Sequence, residues 1–148
     1  MLIAAICTGN TCRSPMLERF LHRAIEQRQL RHVSVMSAGV AANDGDPASL
    51  HAQQVISEYA MDLSKHRSRP ISRVDVPRLD IMITMSERHA AILRQLGGDP
   101  QRIVIAGAES GGVPDPYGGS IDDYRRTAVV LEHVAEEIVE QIQQQRRH

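Results

Sequence analysis

Short apolar runs rich in β-branched residues alternate with stretches of helical spacing along this chain. The runs are Leu2–Ile6, Val33–Ser37, Ile81–Thr84 and Ile103–Ala106, and each reads as a strand. Ser14 followed by Pro15 reads as an N-cap with a first-turn proline, opening a helix to about Gln29. Asp46-Pro47 repeats that device ahead of a helix over Ala48–Ala60. Ser86 opens a third helix to about Leu96, closed by Gly97-Gly98. Ser120 with Asp123 opens the last, where Tyr124, Thr127, Leu131, Val134, Ala135, Ile138 and Ile142 form one stripe suited to core packing. The polar tail Gln143–His148 is expected to fray. Strands alternating with helices predict an α/β fold, a parallel sheet with helices on both faces.

At 148 residues the chain reads as one domain, residues 1–148, large enough for a real core. A net charge of -1 gives no general pull toward nucleic acid or an anionic membrane. One Phe, three Tyr and no Trp leave little aromatic surface for stacking bases. The opening MLIAAI is short and lacks a basic lead, so it reads as a buried strand rather than a signal peptide. No run approaches the ~20 apolar residues of a membrane span, and a cytoplasmic protein is expected. Both cysteines, Cys7 and Cys12, fall in one loop. That rules out a disulfide framework and suits a catalytic or redox-sensing pair. The seven histidines show no metal-ligand spacing with them, and no structural metal is expected.

The segment Cys7-Thr8-Gly9-Asn10-Thr11-Cys12-Arg13-Ser14 joins the first strand to the first helix, with five residues between Cys7 and Arg13. A loop entering a helix points unpaired N–H groups inward, with the positive end of the helix dipole behind them. Such a ring suits an anion with several oxygens, so the segment reads as a phosphate loop. Cys7 is the candidate nucleophile. Its thiol, ordinarily near 8.5, is expected to fall to roughly 3.5–7.5 beside Arg13 and the helix start. Arg13 is the candidate clamp for two phosphoryl oxygens. Thr8, Gly9, Asn10, Thr11, Cys12 and Ser14 are candidate phosphate contacts. Gly9 admits a close backbone approach, Asn10 tolerates left-handed backbone, and Ser14 can cap the helix, donate to the sulfur, or both.

The loop Gly107–Gly119 holds five glycines and two prolines, and long irregular loops of this kind are often functional. Within it, Asp115 is the candidate acid for a leaving group and then base for water. Taken alone it also reads as an ordinary Asp-Pro turn. Tyr117 is a candidate pocket wall. Cys7 follows the first strand and Asp115 the fourth, so both belong to the carboxyl edge of the sheet. His66, in the basic run Ser64–Arg69, either supports the phosphate loop or sits in a solvated basic turn. Cys12 reads either as the partner in a reversible protective disulfide with Cys7 or as a small buried side chain.

Four motifs in order resemble the low-molecular-weight protein tyrosine phosphatase family: CTGNTCRSP at Cys7–Pro15, Ser37-Ala38-Gly39, His66-Arg67-Ser68-Arg69 and Asp115-Pro116-Tyr117-Gly118. The resemblance covers essentially the whole chain. It implies a three-layer domain with a four-stranded parallel sheet flanked by helices, no cofactor, and a phosphocysteine intermediate. It implies Cys7 as nucleophile, Arg13 as phosphate binder, Asp115 as general acid, and Asn10, Ser14 and His66 as loop organisers. Phosphorylated proteins are the implied partners and inorganic phosphate the product. Phosphotyrosine-directed members usually carry a branched aliphatic residue where Thr11 stands, and often an aromatic near Ala41-Ala42-Asn43-Asp44. Thr11 and the run Asp115–Ser120 resemble instead the bacterial branch that dephosphorylates phosphoarginine in proteins. A hydroxyl makes the pocket wall polar, and a carboxylate can hold a guanidinium in a fork. The reading therefore leans to phosphoarginine, with phosphotyrosine as the alternative. A phosphocarrier or an arsenate reductase of similar fold is more remote. Arg13 and Asp115 exceed what a carrier needs, and a reductase needs relay cysteines beyond Cys7 and Cys12.

Overall fold

The first strand, β1 (Leu2–Cys7), is buried on both faces from Ile3 onward. Its alternating side chains therefore divide the core in two. Ile3, Ala5 and Cys7 join one apolar cluster, while Ala4 and Ile6 join another on the opposite face. The computed structural model describes residues 1–146. After β1 come α1 (Arg13–Gln27), β2 (Ser34–Gly39), α2 (Leu50–Glu58), β3 (Ile81–Thr84), α3 (Glu87–Gln95), β4 (Ile103–Ile105) and α4 (Ile121–Arg146). The strands form one parallel sheet in the order β2-β1-β3-β4. α1, α2 and α4 pack together over the first cluster. Leu93 of α3 and short turns carrying Ile71 and Val76 cover the second. This is the three-layer α/β domain with a four-stranded parallel sheet that the alternation and the resemblance predict.

Parallel register brings the carboxyl ends of the strands to one edge. Cys7 stands opposite Gly39, and Ile6 opposite both Ala38 and Thr84. Gly39 is required there by space. A Cβ at this position would lie 2.4 Å from the Thr8 carbonyl oxygen and 2.9 Å from the Asn10 nitrogen. The second strand can approach the loop this closely only as glycine.

The helix ends differ from the sequence expectation in instructive ways. Ser120 and Asp123 form the expected capping box: Ser120 Oγ accepts from the Asp123 amide at 3.2 Å and Asp123 Oδ2 from the Ser120 amide at 2.9 Å. Every residue of the predicted α4 stripe is buried. Ser86 caps α3, accepting from the His89 amide at 3.3 Å. Ser14 does not cap α1: the helix begins at Arg13, Cys12 stands at the cap, and Ser14 and Pro15 lie inside the first turn. Pro15 costs nothing there, because first-turn amides lack helical acceptors. Asp46-Pro47 does not cap α2 either. Ser49 does, accepting from the Ala52 amide at 3.2 Å. The tail expected to fray continues as helix through Arg146, and positions 147 and 148 lie outside the described residues.

Candidate active site

Between β1 and α1 the backbone turns its carbonyls outward. Cys7 O accepts from the Val40 amide, Thr8 O from Ala41 and Thr11 O from Ser49, each at 2.9 Å. Asn10 O accepts from His66 Nε2 at 2.7 Å. The amides of Gly9, Thr11 and Cys12 donate to nothing among the described residues. Outward carbonyls and free amides at the positive end of α1 make an anion nest.

Asn10 holds the turn. It is buried with φ of 56°, the left-handed backbone expected of it. Its Nδ2 donates to Ser14 Oγ at 2.8 Å and Ser37 Oγ at 3.0 Å, and its Oδ1 accepts from the Arg69 amide at 2.8 Å. Because Ser14 Oγ already accepts from Asn10, its own proton is free for Cys7 Sγ, 2.8 Å away. The Asn10 amide also donates to Sγ, at 3.3 Å. Asn10 and Ser14, grouped in the sequence reading with the phosphate contacts, do not line the pocket. They lie fully buried behind it.

Cys7 is 2% exposed. Burial pushes its thiol above the ordinary value, and this outweighs the Ser14 hydrogen bonds, the Arg13 charge and the Asn10 amide, which all pull it down. The sequence expectation of a strongly lowered thiol is corrected accordingly. Spacing revealed the helix end and the arginine but not the depth at which the sulfur sits.

Arg13 is also buried. Its Nη1 donates to Val113 O at 2.8 Å and its Nη2 to Thr8 Oγ1 at 3.4 Å. Asp115 Oδ2 lies 3.6 Å from Arg13 Nη2, with its side chain half exposed at 49%. Its Oδ1 accepts from the Tyr117 amide at 3.1 Å, which closes the turn after Pro114. Cys7, Arg13, Thr11, Asp115 and Tyr117 all line one cavity of about 280 Å³, joined by Asn43 and Asp46. A larger cavity of about 800 Å³ opens behind the Asp115 loop against Arg126 and Thr127 of α4. It shares Asp115 and Tyr117 with the first but not Cys7 or Arg13.

Cys12 is buried with its sulfur 3.3 Å from Tyr124 Oη and 3.5 Å from Ser49 Oγ, and both cysteines are free thiols. Burial and the Cys12 contact push the Tyr124 hydroxyl up to about 12, so it stays protonated. No group of three or more histidine, cysteine or carboxylate residues among those described could hold a metal ion. No described helix is long and apolar enough to cross a membrane.

Sequence reasoning missed His89. Its Nε2 lies 2.9 Å from Thr8 Oγ1, and burial with the Arg13 and Arg88 charges lowers its imidazole to about 4, against an opposing pull from Asp115. The available signal was its place three residues after the Ser86 cap, at the strand end beside β1.

Removing the Ser14 hydroxyl takes away the strongest contact favouring the thiolate. Ser14→Ala is therefore expected to raise the Cys7 thiol further, shifting the pH profile of iodoacetamide alkylation to higher pH. An unmoved profile would mean that the Ser14 proton does not point at the sulfur.

The comparisons agree with this geometry. Residues 2–148 match the family described as low molecular weight phosphotyrosine protein phosphatase. The chain is 36% identical over 152 residues to a protein-arginine-phosphatase of Bacillus subtilis (strain 168), covering 99% of this chain and 100% of that protein. It is 35% identical over 130 residues to the low molecular weight protein-tyrosine-phosphatase PtpB of Staphylococcus haemolyticus (strain JCSC1435), covering 86% and 89%. A solved mutant of YwlE arginine phosphatase with a phosphorylated active-site serine superposes with a TM-score of 0.89 at 34% identity, covering 99% of each chain. With this fold, this loop and these relatives, the chain belongs to the low-molecular-weight phosphotyrosine protein phosphatase family and is a cysteine-dependent protein phosphatase.

Proposed function

We propose that this phosphatase acts on phosphoarginine in proteins. The observation that carries the reading is the chemistry of the pocket wall. Around Cys7 stand Thr11, Asn43, Asp46 and Asp115, with Tyr117 as the one aromatic among the described lining residues. A guanidinium offers several N–H donors and positive charge, and these acceptors and two carboxylates suit it. A phenyl ring would bury apolar surface against polar groups. The protein-arginine-phosphatase relative supports the same substrate.

In the proposed reaction, the Cys7 thiolate attacks phosphorus, the S–P bond forms and the P–N bond breaks. Asp115 gives its proton to the departing guanidine nitrogen. It then takes a proton from water, whose oxygen attacks phosphorus as the S–P bond breaks. Inorganic phosphate leaves and the thiolate returns. Arg13 and the inward amides stabilise the charge on the equatorial oxygens. Thr8, Gly9, Thr11 and Cys12 form the cradle, Asn10, Ser14 and His66 hold it in shape, and Tyr117 closes one wall. Hydrogen bonds from Ser14 and Asn10 strengthen as the sulfur gains charge, which offsets the burial of Cys7. Cys12 serves as a protective partner. After peroxide oxidises Cys7 to the sulfenic acid, the Cys12 thiol condenses with it to a disulfide and releases water.

The first test compares phosphate release from matched phosphoarginine and phosphotyrosine peptides. A phosphoarginine preference that Thr11→Ile shifts toward phosphotyrosine is expected. A phosphotyrosine preference in the parent protein would overturn the substrate assignment. Asp115→Asn should slow substrates with poor leaving groups far more than nitrophenyl phosphate, whose leaving group needs little protonation, by roughly 10²-fold or more; equal losses would make Asp115 structural. Mild peroxide should inactivate the parent protein reversibly by thiol reductant, whereas Cys12→Ser should be lost for good; identical recovery would remove Cys12 from this role.

A further inference from the structure

We propose that His89 is a positioning residue of the phosphate loop: it donates from Nε2 to Thr8 Oγ1 and thereby turns the Thr8 hydroxyl proton into the phosphoryl pocket. The inference rests on the reading that the Cys7 cavity takes a phosphoryl group.

Thr8 Oγ1 has two neighbours with hydrogen-bonding nitrogens: His89 Nε2 at 2.9 Å and Arg13 Nη2 at 3.4 Å. A guanidinium only donates, so the oxygen accepts from Arg13. The ring of His89 leaves two arrangements. If Nε2 accepted the Thr8 proton, the ring proton would sit on Nδ1. That atom is buried and has no hydrogen-bond partner among the described residues. A donor would then be stranded in the core. If Nε2 carries the proton, Nδ1 keeps only a bare lone pair. Stranded buried N–H groups are rarer than under-used acceptors, so the second arrangement is favoured.

Burial, before the charges around it, keeps the ring neutral. Arg13 on α1 and Arg88 on α3 oppose a second proton, and Asp115 on its loop only partly compensates. His89 lies in the first turn of α3, where the positive end of the helix acts in the same direction. His89 is 3% exposed as a residue, so its orientation is set by packing. With both lone pairs of Thr8 Oγ1 taken by His89 and Arg13, the hydroxyl proton has one tetrahedral direction left. Thr8 lines the cavity over Cys7, and an anion there is the acceptor that remains. His89 thus adds a donor to the pocket without touching the substrate.

The first measurement is nitrogen NMR of histidine-labelled parent protein at neutral pH. The expected signature is a His89 ring protonated at Nε2 and bare at Nδ1, and the opposite tautomer would overturn the proposal. This reading needs no variant that must fold. The second is inhibition by inorganic phosphate, with KM and kcat for nitrophenyl phosphate, in Thr8→Val, His89→Leu, His89→Gln and the Thr8→Val/His89→Leu pair. His89→Leu should weaken phosphate binding roughly tenfold and raise KM more than it lowers kcat. His89→Gln should recover most of the loss, because its amide can donate to Thr8. The double variant should bind no more weakly than Thr8→Val alone. Equal losses in Leu and Gln, or additive losses in the pair, would assign His89 to packing. Failure of phosphate to inhibit the parent protein would overturn the reading of the pocket itself, before any variant is compared.

Discussion

One buried side chain must satisfy every polar atom it has for the loop to exist. Asn10 spends both amide protons on Ser14 and Ser37, its side-chain oxygen on the Arg69 amide, its carbonyl on His66 and its own amide on the Cys7 sulfur. A buried amide that lost any of these would strand a polar atom in a water-free interior. The partners come from β1, α1, β2 and the segment around His66, so the loop closes only when all four are in place. The left-handed backbone at Asn10 turns the chain so that carbonyls face these partners and amides face the pocket.

The same exclusion of water sets the chemistry of the site. Arg13, His89 and Cys7 are all buried. Arg13 donates to Val113 O and faces Asp115. His89 is pushed toward neutrality first by its burial and then by the Arg13 and Arg88 guanidinium groups, against the pull of Asp115. Cys7 is driven toward the thiol by burial and drawn toward the thiolate by four neighbouring influences. In a low dielectric these oppositions are strong, so small changes in hydrogen bonding move the reactive state of the sulfur.

Much of this was legible along the chain. The α4 stripe and the Ser120–Asp123 box were readable because helix periodicity and capping act over three or four residues. The meeting of Cys7, Arg13 and Asp115 at one cavity was readable because Cys7 ends the first strand, Arg13 opens the helix after it and Asp115 lies in the loop after the fourth strand, at the edge where parallel sheets gather their loops. Ser14 and Asp46 misled for one reason. Each carries a good capping group beside a proline, but that group is engaged elsewhere: Ser14 Oγ serves the Cys7 sulfur, and the Asp46 carboxylate accepts from Asn43 Nδ2 while the Asp46 backbone is tied to Ser68. Local propensity lost to longer-range bonds.

What the chain by itself determined was the fold class and the phosphate loop that carries Cys7, the candidate nucleophile, because periodicity, residue type and short spacing are local properties. Only the folded molecule decided the depth of Cys7, the entry of Asn43 and Asp46 into the pocket wall, and the approach of His89 to Thr8 across 81 positions. Burial and distant contacts follow from how the strands register and the helices pack. Those terms couple residues far apart in sequence, so no local pattern carries them.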